Sequence, residues 1–389
     1  MAFNQLKFVF SAANQLLRRK LAAAKINREI VKEMALVDSA IKDIEIKDNK
    51  KGTVIIKCDD IGDFLIWQYV IPEIEKQAIR PITFIGNQLV KPLIENWFDF
   101  ADQYIWIDKS KLKDENYKTD LYKKIRALNS EVAIEPMFTR NYLVDDMLIY
   151  ATAANERIAW SRHLHTYYPN ANAIDQVTTR EIESDIKVQL EYLRNFEFIS
   201  KVYNSQPDST YKATFPSFGK QNRLVIVPVA NTKSRYWPVE NFIQLIKEVL
   251  EKFDQILLLG GPNAIERCDL IEKGVNSPKL LNMSGKTSIT EVVAFVGESK
   301  LMLCPDTFSV HVATMTATDV VVISNGNNWQ RFLNYAPYVK SKVEIVFHPG
   351  FKPDINKVKT LYSSAEIKSI SVSAVKERLL KVIESSGKG

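Results

Sequence analysis

Cysteine is scarce in this chain: Cys58, Cys268 and Cys304 are the only three among 389 residues. The number is odd and no CxxC pair exists, which excludes a disulfide framework or a zinc ribbon and fits a reducing, cytosolic location. Long apolar runs are lacking as well. No stretch of about 18 uncharged apolar residues occurs, so no spanning helix is expected. The charge–apolar–cleavage order of a secretory leader is absent, because Arg18, Arg19 and Lys20 follow the apolar stretch instead of preceding it. There is no strong basic excess either. The 52 Lys+Arg stand against 46 Asp+Glu, a net charge of +6, too modest for this length to suggest a nucleic-acid surface. What is present, 46% hydrophobic and 25% charged residues, is ordinary globular composition, and at ~150 residues per domain the length implies two to three domains.

Residues 3–45 contain no glycine and no proline and are rich in helix formers. Through Lys32 the charges are Lys7, Arg18, Arg19, Lys20, Lys25, Arg28 and Lys32 against Glu29 alone, a surplus equal to that of the whole chain. Phe8, Phe10, Leu17, Leu21, Ile26 and Ile30 recur at roughly helical spacing. A basic amphipathic helix of this kind suits the anionic inner face of a cytoplasmic membrane. It equally suits packing on the domain that follows.

After the polar break at 47–52, strand and helix signals alternate. Strands are expected at 53–57, 82–86, 104–107 and 132–134, with helices at 64–76, 88–96 and 121–128. A polar break covers 204–222. The alternation then restarts, with strands at 224–228, 255–261, 280–283, 301–304 and 319–324 and helices at 239–253, 263–273, 289–299, 309–316 and 372–383. Such alternation predicts an α/β protein with parallel sheets, and two such halves imply a cleft at the carboxyl ends of their strands. The resulting boundaries are a helical extension at 1–48, a first half at 49–212, a second half at 213–371 and a closing helix at 372–389.

Three strand-to-helix turns carry the chemistry. Asp59, Asp60 and Asp63 crowd the first, where Gly62 permits close backbone approach and a helix start favours the Asp63 anion. Simple N-capping would use the same residues. The second, Val229 to Pro238, offers Thr232, Ser234, Lys233, Arg235 and free backbone N–H groups to a diphosphate, without the spacing of a Walker loop. A solvated basic loop would look the same. The third, Cys304 to His311, has Asp306 and Thr307 at a helix start able to hold an anion. His311 lies one turn in, placed to orient Asp306 or to pack. Glu266 after Gly260-Gly261-Pro262, and Gly285-Lys286, are weaker candidates for ribose and nucleotide contacts.

In order and spacing these pieces resemble glycosyltransferase family 9, the bacterial heptosyltransferase family. The resemblance covers residues 53–340. It runs through the opening strand with Gly62-Asp63, then Glu156-Arg157-Ile158-Ala159, Arg235-Tyr236-Trp237-Pro238, Leu281 to Ser288, and Pro305-Asp306-Thr307 with His311 and Ala313. Four departures stand out: Ala159 and Phe308 each replace a family glycine, Arg235 replaces a lysine, and Val229-Ala230-Asn231 replaces a Pro-Gly-Ala-like turn.

The resemblance implies a GT-B fold of two Rossmann-like domains facing a cleft, and inverting transfer of a sugar from a nucleotide-sugar, typically ADP-heptose. The acceptor would be a hydroxyl of a lipopolysaccharide core or another surface glycan or glycolipid. Carried over, Asp63 is the base, with Asp60 and Gly62 in the acceptor-side loop. Arg235 and Thr232 attend the donor phosphates with Asp306, Thr307 and His311, Glu266 lies near the ribose, and Gly285 and Lys286 lie near the nucleotide. No Asp-x-Asp pair exists in the sequence, so no essential metal and no further cofactor is expected. The alternatives are a nucleotide-sugar epimerase on the same fold and a catalytically inactive glycan-binding homologue.

Overall fold

A computed structural model of the chain describes residues 24–45, 47–164, 172–184, 190–210, 214–327, 329–335, 338–353 and 367–386. Two six-stranded sheets, parallel throughout, form its frame. The first contains β1 (Thr53–Lys57), β2 (Ile82–Asn87), β3 (Gln103–Ile107), β4 (Val132–Glu135), β5 (Glu156–Trp160) and β6 (Arg180–Ile182), in the order β3-β2-β1-β4-β5-β6. The second contains β7 (Gln221–Ile226), β8 (Gln255–Leu258), β9 (Leu280–Asn282), β10 (Ser299–Pro305), β11 (Asp319–Ser324) and β12 (Val343–Phe347), in the order β12-β11-β10-β7-β8-β9. Both are the same doubly wound order. The strand sequence reverses between β1 and β4 in one sheet and between β7 and β10 in the other. Crevices for ligands open at such switch points, beyond the carboxyl ends of the strands.

The central strands are continuous β-branched runs because helices cover both faces. Every residue of β1 is buried, with Thr53 opposite both Ile82 and Val132. One apolar cluster takes in Ile55, Phe64 and Phe84 of the first half and Val225, Met302 and Val321 of the second. A second cluster lies on the far face of the first sheet. There a helix over residues 24–41 buries Ile30, Met34, Val37 and Ile41 against Val54, Ile56, Ile125 and Met147. Its Glu33 accepts from Lys118 Nζ at 2.6 Å and Tyr122 Oη at 2.8 Å. Ile26 and Ile30, the end of the basic amphipathic stripe, are therefore spent on packing. Phe8, Phe10, Leu17 and Leu21 lie outside the described residues.

Several boundaries differ from the sequence reading. The expected helix at 64–76 starts earlier, as Ile61–Trp67, and is broken by a 3₁₀ turn at Gln68–Val70 before Ile71–Gln77. Helices Asp145–Thr152 and Glu191–Tyr203 and strands β5, β6 and β12 add to the pattern. The closing helix, Val372–Ser386, is not a separate appendage. It buries Val375, Leu379 and Val382 against the second half, and Trp237 Nε1 pins the preceding turn by donating to Ile370 O at 2.8 Å.

Candidate active site

The turn after β1 runs straight into helix Ile61–Trp67, with Asp60 at the N-cap and Asp63 in the first turn. Asp60 does not cap: its side chain makes no hydrogen bond to the helix and instead takes Lys109 Nζ at 2.9 Å. Simple N-capping by Asp60 is thus not what this turn does. Asp59 is held by the buried Lys57 ammonium. Burial raises its carboxyl to about 7, against the pull of Lys57.

Asp63 is half-buried beneath the second half. Burial raises its carboxyl above the ordinary range. Lys57 and Arg331 oppose that, and Glu191 and Asp60 add to it. The helix start was expected to favour the anion, but desolvation outweighs the dipole here.

Gly62 lets the two halves approach. A methyl group added there would lie 3.2 Å from Phe308 Cβ and 3.3 Å from His311 Cδ2. Helix Phe308–Met315 of the second half therefore comes close to Gly62, which also lines the cavity described below.

From that half, Thr307 stands at the N-cap with extended backbone and no side-chain bond to the helix. Arg235 reaches over from the loop after β7. Its Nη1 donates to Asp306 O at 3.0 Å and sits 3.4 Å from Asp306 Oδ2. That oxygen is buried without a hydrogen-bond partner, and burial raises the Asp306 carboxyl although Arg235 pulls it down. His311 contacts Tyr335, not the Asp306 carboxylate: Nδ1 and Tyr335 Oη are 2.8 Å apart. Burial drops the imidazole to about 3, so it is neutral at physiological pH.

These groups converge on a cavity of about 320 Å³ whose lining includes Asp60, Gly62, Asp63, Arg235, Asp306, Thr307 and His311. Beside it lies a second, of about 240 Å³, with walls from Val227, Val229, Leu259, Ile289 and Val292 and polar groups from Asn231, Asn263 and Thr287. Ile61, Asn231, Thr307 and Phe308 line both.

The remaining expected residues line neither cavity. Thr232 is exposed beside Ser234, at 3.3 Å. Glu266 is exposed. Lys286 Nζ donates to Asn282 O at 2.9 Å, and Gly285, at φ +70°, packs against Ile265. Leu89 and Phe332 as lining residues and the Arg331–Glu191 pair are not marked by any motif in the sequence. Leu89 alone follows a strand end closely, two residues after β2. Among the described residues, no group of three His, Cys, Asp or Glu side chains is arranged to hold a metal ion.

Residues 147–363 match the family model described as Glycosyltransferase family 9 (heptosyltransferase). Among curated relatives, the lipopolysaccharide core heptosyltransferase OpsX of Haemophilus influenzae is 25% identical over 136 residues, 34% of this chain and 38% of that protein. The match thus spans little more than a third of that relative's length. Among solved structures, a glycosyl transferase family 9 protein from Veillonella parvula covers 88% of this chain and all of its own, with a TM-score of 0.67 and 13% identity. The E. coli heptosyltransferase WaaC with ADP covers 85% of this chain and 99% of its own, with a TM-score of 0.64 and 15% identity. At such identities the likeness is one of fold, and that fold is GT-B.

Proposed function

This chain belongs to glycosyltransferase family 9, and from that premise we propose that it transfers a sugar, a heptose from ADP-heptose, with inversion to a hydroxyl of a lipopolysaccharide core or similar surface glycan. One observation carries the reading: Asp63 of the first half and Arg235, Asp306 and Thr307 of the second line a single cavity. In this reading the Asp63 carboxylate takes the proton of the acceptor hydroxyl. The hydroxyl oxygen attacks the anomeric carbon, and the bond from that carbon to the diphosphate oxygen breaks. Arg235 and the N-terminus of helix Phe308–Met315 offset the charge that develops on the departing nucleoside diphosphate. The smaller, more apolar cavity suits the nucleobase, and Asp306 Oδ2, which accepts no hydrogen bond, suits a sugar hydroxyl as donor. The similarity to the core heptosyltransferase OpsX and to WaaC, solved with ADP, supports a heptose donor and an adenine nucleotide.

Full-length protein incubated with ADP-heptose and a heptose-deficient lipopolysaccharide core is expected to release ADP only when both are present. That release should persist in excess EDTA, because Arg235 and the helix N-terminus at Thr307 are the candidates for the role magnesium serves in many transferases. Product from donor alone would favour an epimerase. No turnover despite donor binding would favour an inactive glycan-binding protein. Activity lost in EDTA and restored by magnesium would overturn metal independence.

Docking at the inner membrane face is part of the same reading. Among the described residues no helix is long and apolar enough to cross a membrane. The basic segment at 3–32 would instead add ~1 kcal/mol per basic residue near an anionic surface. Full-length protein should co-sediment with anionic vesicles in a salt-sensitive manner, and a chain lacking residues 1–23 should not. Truncation at 23 spares the packed helix over 24–41. Equal, negligible binding of both would refute docking.

A further inference from the structure

An arginine of the second half reaches into the first beside the candidate base. Arg331 sits on the short helix Trp329–Phe332 after β11. Its Nε lies 2.5 Å from Glu191 Oε2 and its Nη1 donates to Thr139 Oγ1 at 3.1 Å. Thr139 follows β4, and Glu191 opens helix Glu191–Tyr203, which packs on helix Ile61–Trp67. The side chain therefore ties both elements of the first half to the second. Glu191 is buried and shared with Arg194, whose Nε is 3.4 Å away. Both guanidinium groups lie over the Phe138 ring, at 3.6 and 5.6 Å. Phe332, the next residue after Arg331, lines the cavity that contains Asp63.

We propose that Arg331 is a positioning residue for Asp63: its fork locks Glu191 and Thr139 in place across the cleft, and the Arg331–Glu191 pair sets the field in which Asp63 works. The proposal rests on Asp63 being the base, and it adds a residue that acts through others.

The charged groups facing Asp63 come from every element around it. They are Lys57 on β1, Asp59 and Asp60 in the turn, Glu191 on its helix, Arg331 from the second half, and Arg235 and Asp306 across the shared cavity, while His311 opposite is neutral. Arg331 favours the Asp63 anion and Glu191 opposes it. Burial would raise the Glu191 carboxyl, but the two arginines outweigh burial and hold it ionised. A lysine at 331 would keep the charge but could not hold two partners with one planar fork.

The titration itself needs no acceptor, and turnover is read separately with ADP-heptose and the heptose-deficient lipopolysaccharide core. The full chain is labelled with ¹³C at the aspartate carboxyls, and the Asp63 signal is assigned by its loss in Asp63→Asn. It is then titrated in the unmodified chain and in Arg331→Gln, Arg331→Lys and Glu191→Gln. Arg331→Gln should move the Asp63 midpoint upward by roughly half a pH unit or more, and Glu191→Gln should move it downward. Arg331→Lys should restore the midpoint while leaving a several-fold loss of turnover on ADP-heptose. A merely structural role would lower melting temperature without opposite shifts, and an unmoved midpoint in all three variants overturns the proposal. If the shifts occur but the unmodified chain moves no sugar, the transferase reading fails while the electrostatic coupling stands.

Discussion

Asp63→Asn is expected to lower turnover ~10²–10⁴-fold, the contribution of a positioned general base, with donor affinity almost unchanged. The asparagine keeps the size of the side chain and removes the group that takes the proton. The pH dependence gives a second signature. A base works only when ionised, so activity falls as pH drops through its folded midpoint. Burial puts the Asp63 midpoint above the ordinary carboxylate range, so the acidic fall should begin at a higher pH than for an exposed aspartate. Steady-state rates across pH check both points. Near-normal turnover in the asparagine variant would remove Asp63 from the mechanism.

Arg235→Ala should weaken nucleotide-sugar binding by roughly 1.5–3 kcal/mol, the loss expected for a charge-assisted hydrogen bond, or about 10–150-fold in Kd. The Arg235 side chain is 25% exposed, and Asp306 beside it is nearly enclosed. Truncation would thus remove a phosphate partner and also leave the Asp306 carboxyl buried without its cation. Arg235→Lys separates these effects, since it keeps the charge but loses the fork that spans Asp306 O and a ligand oxygen. Calorimetry with ADP-heptose should rank the three proteins Arg, Lys, Ala. Unchanged affinity in the alanine variant would reject the assignment.

The parallel frame was legible because its strands are apolar and β-branched. Thr53-Val54-Ile55-Ile56 and Asp319 to Ser324 sit where expected, with both faces buried. Glu156–Trp160 and Arg180–Ile182 were harder to see. They lie toward one edge of the sheet, carry charged residues and lack the long apolar run that marks a central strand. Val343–Phe347 closes the other sheet's edge and is half-exposed for the same reason. The broken helix after Asp60 looks like one element in the sequence because its apolar spacing continues through the 3₁₀ turn at Gln68–Val70.

The site divided along similar lines. Asp63, Arg235, Asp306 and Thr307 could be named from the chain because each lies just beyond a strand end, and strand ends of a parallel sheet face the crevice. Thr232, Glu266, Gly285 and Lys286 satisfied the same rule and yet line neither cavity, since spacing along a loop does not say which way a side chain turns.

The amino-acid sequence alone determined the two α/β halves, the turns that carry the chemistry and the family resemblance, because these depend on local periodicity and on the order of short motifs. Only the tertiary structure decided that Gly62 receives the other half's helix, that His311 pairs with Tyr335, and that Asp63 is shaped by Glu191 and Arg331. Those contacts join residues 128 to 268 positions apart in the chain, except for the 24-residue step from His311 to Tyr335. Desolvation and charge pairing act through space, and no pattern along the chain records them.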